Sequence, residues 1–387
     1  GTNVNQLEGL VAGYNHAAPA HQALTLGDFL LLNADGDVEA LASAMNGGGN
    51  KTTVGASRRS PLHLRCSSMW KLADDNSDIF FGHATWDHFD MMVRTLKRYQ
   101  WGSGDSAVRV SLSSSPGFLS SIDDFYLTSK GLAVIETTNG NMNADLWKLL
   151  TPSSVLSWVR ANVANAVSSS APQWTQLFST ENSGTYNNQW MVLDMNQFTP
   201  GEPLKPATFM ILEQLPGSCT VEDKSAHLND QRYWGSYNIP AIPSVWKASG
   251  FGSPSAGPAW ENSHAACPRA VLMKSLNGTV QDVPSFQKFI RFNKGPADPD
   301  PHDARAGFGI SARFDLVPPK GENFGLGGGI DGKMSAVSLA RDTLQFWAQN
   351  GPTHDNVPPF DWANVSPASA PTHGGMPQKW DFPWVLF

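Results

Sequence analysis

Residues 66–86 read CSSMWKLADDNSDIFFGHATW, and the fold is decided there. Cys66 to Leu72 and Ile79 to His83 are two short runs rich in apolar and aromatic residues, joined by the turn-forming Asp74-Asp75-Asn76-Ser77-Asp78. That pattern predicts a β-hairpin. It places a thiol, Cys66, at the first residue of one strand and an imidazole, His83, on the returning strand. A thiol and an imidazole on adjacent strands can act together in acyl transfer, and a core cysteine beside a hydrogen-bonded histidine would have the same spacing.

Working upstream, the regular pattern fails from Asn46 to Arg65. This stretch holds Gly47, Gly48 and Gly49, the polar run Asn50 to Thr53, the basic pair Arg58-Arg59 and Pro61, so it reads as an exposed linker and as the cleavage region of the chain. Before it, residues 5–15 and 36–45 have apolar spacing near the helical period and are joined through the apolar run Phe29 to Leu32. Downstream, Trp86 to Tyr99 shows helical spacing through Phe89, Met92, Val93 and Leu96, with Lys97 and Arg98 in the last turn. Strands are predicted at 107–112, 131–137, 189–194, 208–214 and 310–315, and helices near 152–168, 283–292 and 334–349. The elements alternate without a βαβ rhythm, which favours a layered α+β architecture. The tail from Pro352 is rich in Pro, His and Trp and is expected to wrap the surface.

Composition narrows the function classes. The 387 residues are 41% hydrophobic and only 16% charged, with 14 Trp, which describes a folded globular protein. A net charge of -7 gives no basic footprint for nucleic acid. No run approaches the roughly 18–20 apolar residues a membrane helix needs. Gly1 opens without a charged and then apolar leader pattern, so any signal peptide is expected to have been removed or left out. Three cysteines cannot all pair among themselves, and an unpaired thiol is either an inert core group or a reactive one. Sequons at Asn50, Asn277 and Asn364 would accept glycans on a secretory route.

Other motifs fail on inspection. Gly327 to Met334 fits seven positions of a P-loop, but the eighth is Met334, where magnesium needs a hydroxyl, so a tight glycine turn leading into a helix is expected. Asp298 to Asp303 crowds oxygen ligands, yet its prolines forbid a calcium-loop path and it reads as a solvated loop. There is no G-x-S-x-G, no HExxH and no Cys-x-x-Cys, so neither a metal nor a cofactor is expected.

Longer matches lie in one order along most of the chain. They include CSSMWK at 66–71, GHATW at 82–86, DDFY at 123–126, ETTNGN at 136–141, NSGTYNNQWM at 182–191, LEQLPG at 212–217, WGSYNIP at 234–240, PRA at 268–270, ISARFDL at 310–316 and GGIDGK at 328–333. In these the sequence resembles the phospholipase B-like (laminin-ancestor) family. The resemblance implies an N-terminal-nucleophile (Ntn) hydrolase fold, a four-layer αββα sandwich, in which cleavage of the Arg65-Cys66 bond makes Cys66 a new N-terminus. The freed α-amine, with a pKa of about 8, would then serve as base beside the thiol.

The resemblance further implies that residues 1–65 form a light portion and 66–387 a heavy portion of one domain. His83 and Trp86 would orient the nucleophile and shape the acyl pocket, with Thr138, Asn238 and Arg269 as further site residues. Asn238 is assigned to an oxyanion hole, Arg269 to fixing charge near Cys66, and Asn187 is a second oxyanion candidate, whose alternative is a sheet-edge hydrogen bond. The implied substrate is a lipid or N-acyl small molecule, cut at an ester or an amide bond. The expected location is lysosomal or secreted, and a homodimer is an expected assembly. A rival reading keeps the fold without turnover, as a lipid- or glycan-binding protein presenting its Trp residues. Departures from the family pattern are Arg65 before the nucleophile, where a small residue is usual, and Cys219 and Cys267, whose pairing sequence leaves open.

Overall fold

The computed structural model describes residues 2–45, 66–253, 262–293, 306–317, 325–366 and 370–387. The hairpin at its centre forms with Cys66 opposite Thr85 and Ser68 opposite His83. Asn76 adopts φ 59° in the turn, a left-handed conformation that asparagine tolerates. Its strands, β1 (Cys66–Leu72) and β2 (Ile79–His88), are buried along almost their full length.

Seven strands run as an antiparallel meander, each pairing with the next: β3 (Thr95–Trp101), β4 (Val108–Ser114), β5 (Phe125–Thr128), β6 (Leu132–Thr138), β7 (Asn188–Asp194), β8 (Phe209–Leu215) and β9 (Ser218–Asp223). The second sheet adds β10 (Tyr233–Ser236), β11 (Gly327–Gly329), β12 (Asp331–Ala336) and β13 (Trp347–Asn350) to the hairpin. Its order is β10-β1-β2-β12-β13, closed by the edge strand Val385–Leu386, with β11 on the far end of β2.

The two-residue period of the strands sorts their side chains into layers. Trp70, Leu72, Ile79 and Phe81 of the hairpin meet Phe125, Leu127, Ala133 and Ile135 between the sheets. Met69, Ala84 and Trp86 point the other way, into a core shared with the helices Pro268–Leu276 and Val283–Ile290. Val110, Leu132, Val134 and Trp190 pack beneath the helices Ser157–Val167 and Ala171–Ser179 on the far side of the meander. The result is an α+β fold in four αββα layers, as expected.

Upstream lie α1 (Thr2–Ala17), α2 (Leu26–Asn33) and α3 (Asp35–Met45). Their apolar runs join the rest of the chain through Leu7 and Phe29, which pack with Leu119 and Trp158, whereas Leu30 and Leu41 stay exposed. Polar contacts lock the joint. Asn33 donates to the Gly117 carbonyl and accepts from Leu119 N, and Asp37 accepts from Ser157 N and Thr185 Oγ1.

Several sequence expectations are corrected. Trp86 to Tyr99 is not a helix: β2 runs on to His88, a 3-10 turn spans Phe89–Met91, and β3 follows. Phe89 and Met92 are spaced as on a helix because both fill a small core with Ile330, Phe360 and Trp380, while Thr95 to Trp101 pairs with β4. Ile310 to Asp315 forms turns with one bridge, Arg313 to Gly328, instead of a strand. The helix expected over 334–349 shrinks to Val337–Thr343, because Met334 lies in β12 and Leu344 ends the helix at φ 57°.

Gly327 to Met334 is likewise two strand segments and not a turn into a helix. Glycine is required there by close approach: a Cβ on Gly328 would lie 2.3 Å from the Ala312 carbonyl oxygen. Cys219 and Cys267 are unpaired thiols. The 46–65 linker with Arg65 and Asn50, and the Asp298–Asp303 loop, lie outside the described residues. Asn364 is exposed, and Asn277 is half-buried with its amide on the Met273 and Lys274 carbonyls. The tail packs into the fold: Trp380 is buried and Val385–Leu386 extends a sheet.

Candidate active site

Cys66 and His83 lie two register steps apart on the inner face of the hairpin, and Glu136 of β6 reaches the same point from the facing sheet. One ligand atom from each of these three residues, Cys66 Sγ included, lies within 4.8 Å of the others, and all three residues are buried. Both ring nitrogens of His83 lack a hydrogen-bond partner among the described residues. Burial, reinforced by the positive charge of Lys333, holds its pKa well below the usual histidine value, so the ring is neutral. Burial and the nearby Glu136 charge push the Cys66 thiol up, against the Trp86 backbone amide that faces the sulfur.

The main chain of Cys66 is held by side chains. Its nitrogen donates to Asn238 Oδ1 at 3.4 Å. The Arg269 guanidinium donates to the Cys66 carbonyl oxygen at 2.5 Å, to Asn238 Oδ1 at 2.8 Å and to the Tyr237 carbonyl at 2.7 Å. The planar fork of arginine suits this three-acceptor geometry. Asn238 Nδ2 donates to the Thr138 carbonyl at 2.6 Å, and the residue sits at φ 71°, the left-handed conformation that asparagine tolerates.

Of the residues singled out from sequence, Cys66, His83, Asn238 and Arg269 come together with the Thr138 main chain. Trp86 does not line a pocket with them. It lies on the opposite face of the sheet, donates through Nε1 to the Ile310 carbonyl at 3.1 Å, and carries the Arg269 guanidinium 4.4 Å above its ring. Alternation from His83 explains this, since an odd number of steps flips the face. Asn187 donates to the Gly184 carbonyl at 2.9 Å and leaves its Oδ1 buried without a partner among the described residues.

Sequence reading assigned no role to the charged groups behind His83. Arg94 and Lys333 both pair with Asp123 and with Asp331, and Lys333 also donates to Thr85. Burial alone would raise the Asp123 carboxyl, but Arg94 and Lys333 outweigh it and hold it well below the usual range. On the other side, Tyr186 donates to Glu136 Oε1 at 2.9 Å. Burial and Glu136 push the neighbouring Asp124 well up. Asp123, Glu136, Asp331 and Lys333 fall inside the matched motifs DDFY, ETTNGN and GGIDGK, which was the only sequence signal they gave.

This arrangement of a thiol, a neutral imidazole, a carboxylate and a held backbone nitrogen is found in a chain whose whole length, residues 1–387, matches the family described as Phospholipase B. The chain belongs to the phospholipase B-like family. It is 36% identical to phospholipase B-like protein B of Dictyostelium discoideum over 397 aligned residues, covering 100% of this chain and 69% of that one. It is 37% identical to phospholipase B-like protein A of the same organism, covering 99% and 71%. Among solved structures it is similar to a mutant conjugated bile acid hydrolase from Clostridium perfringens at TM-score 0.38 and 9% identity, covering 73% of this chain and 89% of that one. As a member of the phospholipase B-like family, the protein is a hydrolase. No helix among the described residues is long and apolar enough to cross a membrane.

Proposed function

We propose that this phospholipase B-like protein is a cysteine-type N-terminal-nucleophile hydrolase, activated by cleavage of the Arg65-Cys66 bond, that hydrolyses an acyl ester or amide bond of a lipid-like substrate. The observation that carries the reading is that side chains hold the main chain of the residue whose sulfur meets His83 and Glu136: Asn238 accepts from Cys66 N and Arg269 donates to its carbonyl. Once freed, the amine takes the thiol proton as sulfur bonds to the substrate carbonyl carbon. It returns that proton to the leaving alcohol or amine when the tetrahedral adduct collapses to a thioester, and water then releases the acid by the same route.

Asn238 and Asn187 each keep a second amide hydrogen beyond their described bonds and are the proposed donors to the oxyanion. Arg269 fixes the Cys66 carbonyl, and Trp86 acts through Arg269 and its own backbone amide. The rival reading of a Trp-lined binding surface loses support because Trp70, Trp86, Trp174, Trp190 and Trp380 are fully buried.

Intact mass of purified protein and of Cys66→Ala tests the maturation. The wild type is expected as two pieces split before Cys66, and Cys66→Ala as one uncut chain. A wild type that stays whole would defeat the free-amine mechanism, and normal splitting of Cys66→Ala would show an external protease acting after Arg65.

A further inference from the structure

Resting on that reading of Cys66, we propose that the mature site binds a zinc-like divalent cation through Cys66, His83 and Glu136, giving a reversibly inhibited form of the hydrolase. Thiolate, imidazole and carboxylate are the donor set of tetrahedral zinc sites. Their three ligand atoms already lie within 4.8 Å of one another. A second observation points to a missing partner: His83 is fully buried, yet neither ring nitrogen makes a hydrogen bond of normal geometry among the described residues, with the Glu136 backbone close to the ring, an expensive state for a polar group.

Cleavage before Cys66 completes the set. The freed α-amine and the thiolate of one residue close a five-membered chelate, so the cut chain supplies a fourth ligand that the uncut amide does not. Lys333 is paired with Asp123 and Asp331, and the Glu136 carboxylate, which accepts from the Tyr186 hydroxyl, brings the negative charge to the ligand set. Binding displaces the thiol proton to solvent and occupies the nucleophile and its base together, so turnover stops until the metal is removed. Cys66 and His83 share one hairpin, but Glu136 comes from the facing sheet, so no local metal motif marks the set.

The test uses Co2+, a coloured substitute for zinc. Intact mass first establishes whether the sample is cut before Cys66. Co2+ is then titrated in while cobalt-thiolate absorption and Cys66 alkylation are followed. Cut protein is expected to show the charge-transfer band at one equivalent and to lose alkylation, with both effects reversed by a chelator. His83→Ala and Glu136→Gln should weaken binding by at least the 10 to 100-fold typical of losing even an outer partner, and uncut protein should bind less tightly than cut.

Absence of the band, with alkylation unchanged in protein shown to be cut, overturns the proposal. So does a band of equal strength in both variants, because the metal would then sit on Cys219 or Cys267. Should the mass show no cut, the maturation reading fails, and a band that depends on Cys66, His83 and Glu136 still supports the site.

Discussion

Arg269 ties together the Cys66 carbonyl, the Tyr237 carbonyl and Asn238 Oδ1 while its guanidinium carbon sits over the Trp86 ring, so its shape matters as much as its charge. Arg269→Lys keeps the charge but offers one compact ammonium in place of a fork. With these acceptors left buried, the variant is expected to lose about 3–5 kcal/mol, the scale for breaking a buried charged network, and to mature slowly. Trp86→Phe keeps a ring face under the guanidinium and is expected to mature. Denaturant midpoints and intact mass over time read both effects. Equal maturation in wild type and Arg269→Lys would show that the grip on Cys66 is unimportant.

Among the elements, α3 is the one that brings the N-terminal helices, the proposed light portion, to the site. Gly36 packs directly on the Tyr186 ring, and a Cβ there would lie 2.4 Å from Tyr186 Cδ2. The hydroxyl of that tyrosine in turn donates to Glu136. Gly36→Ala is therefore expected to cost about 1–3 kcal/mol, as overpacking does, and to loosen the light portion in cut protein. Gly9 in α1 has nothing within 4 Å of its missing Cβ, so Gly9→Ala should stabilise by about 1 kcal/mol through helix propensity alone. Size exclusion of cut protein in rising denaturant checks the pair. The light portion should elute separately earliest for Gly36→Ala, and identical profiles for all three proteins would remove α3 as the coupling element.

For the whole molecule, acid stability depends on groups of opposite sign. His83 is held neutral in the fold, with its pKa well below the unfolded value of about 6.5. As pH falls past that value the unfolded chain takes up a proton the folded ring refuses, so the contribution present above it is lost at up to about 1.4 kcal/mol per pH unit. Asp37, Asp124 and Glu213 are pushed up by burial. They do the reverse, favouring the fold at low pH and losing that effect as pH rises. The difference between wild type and His83→Gln isolates the histidine: the variant should gain relative stability steadily from pH 7 to pH 5. A flat difference in urea melts across that range would mean that His83 titrates normally and is not sealed from water.

At this same scale the chain order of information is visible. Sequence by itself determined the hairpin of residues 66–86, the α+β class and that Cys66 and His83 stand on adjacent strands of one hairpin. Turn residues and apolar runs act locally, and the family motifs carry the four-layer arrangement with them. It misassigned residues 86–99, 310–315 and 334–349, where apolar spacing serves packing against distant partners and strand pairing overrides the local period. Only the tertiary structure decided which face Trp86 takes, that Lys333 is locked between two aspartates, and that Glu136 stands beside a sulfur 70 positions earlier in the chain. Those relations come from two sheets meeting face to face, and in a packed interior the chemistry of a side chain is set by neighbours that its own segment does not contain.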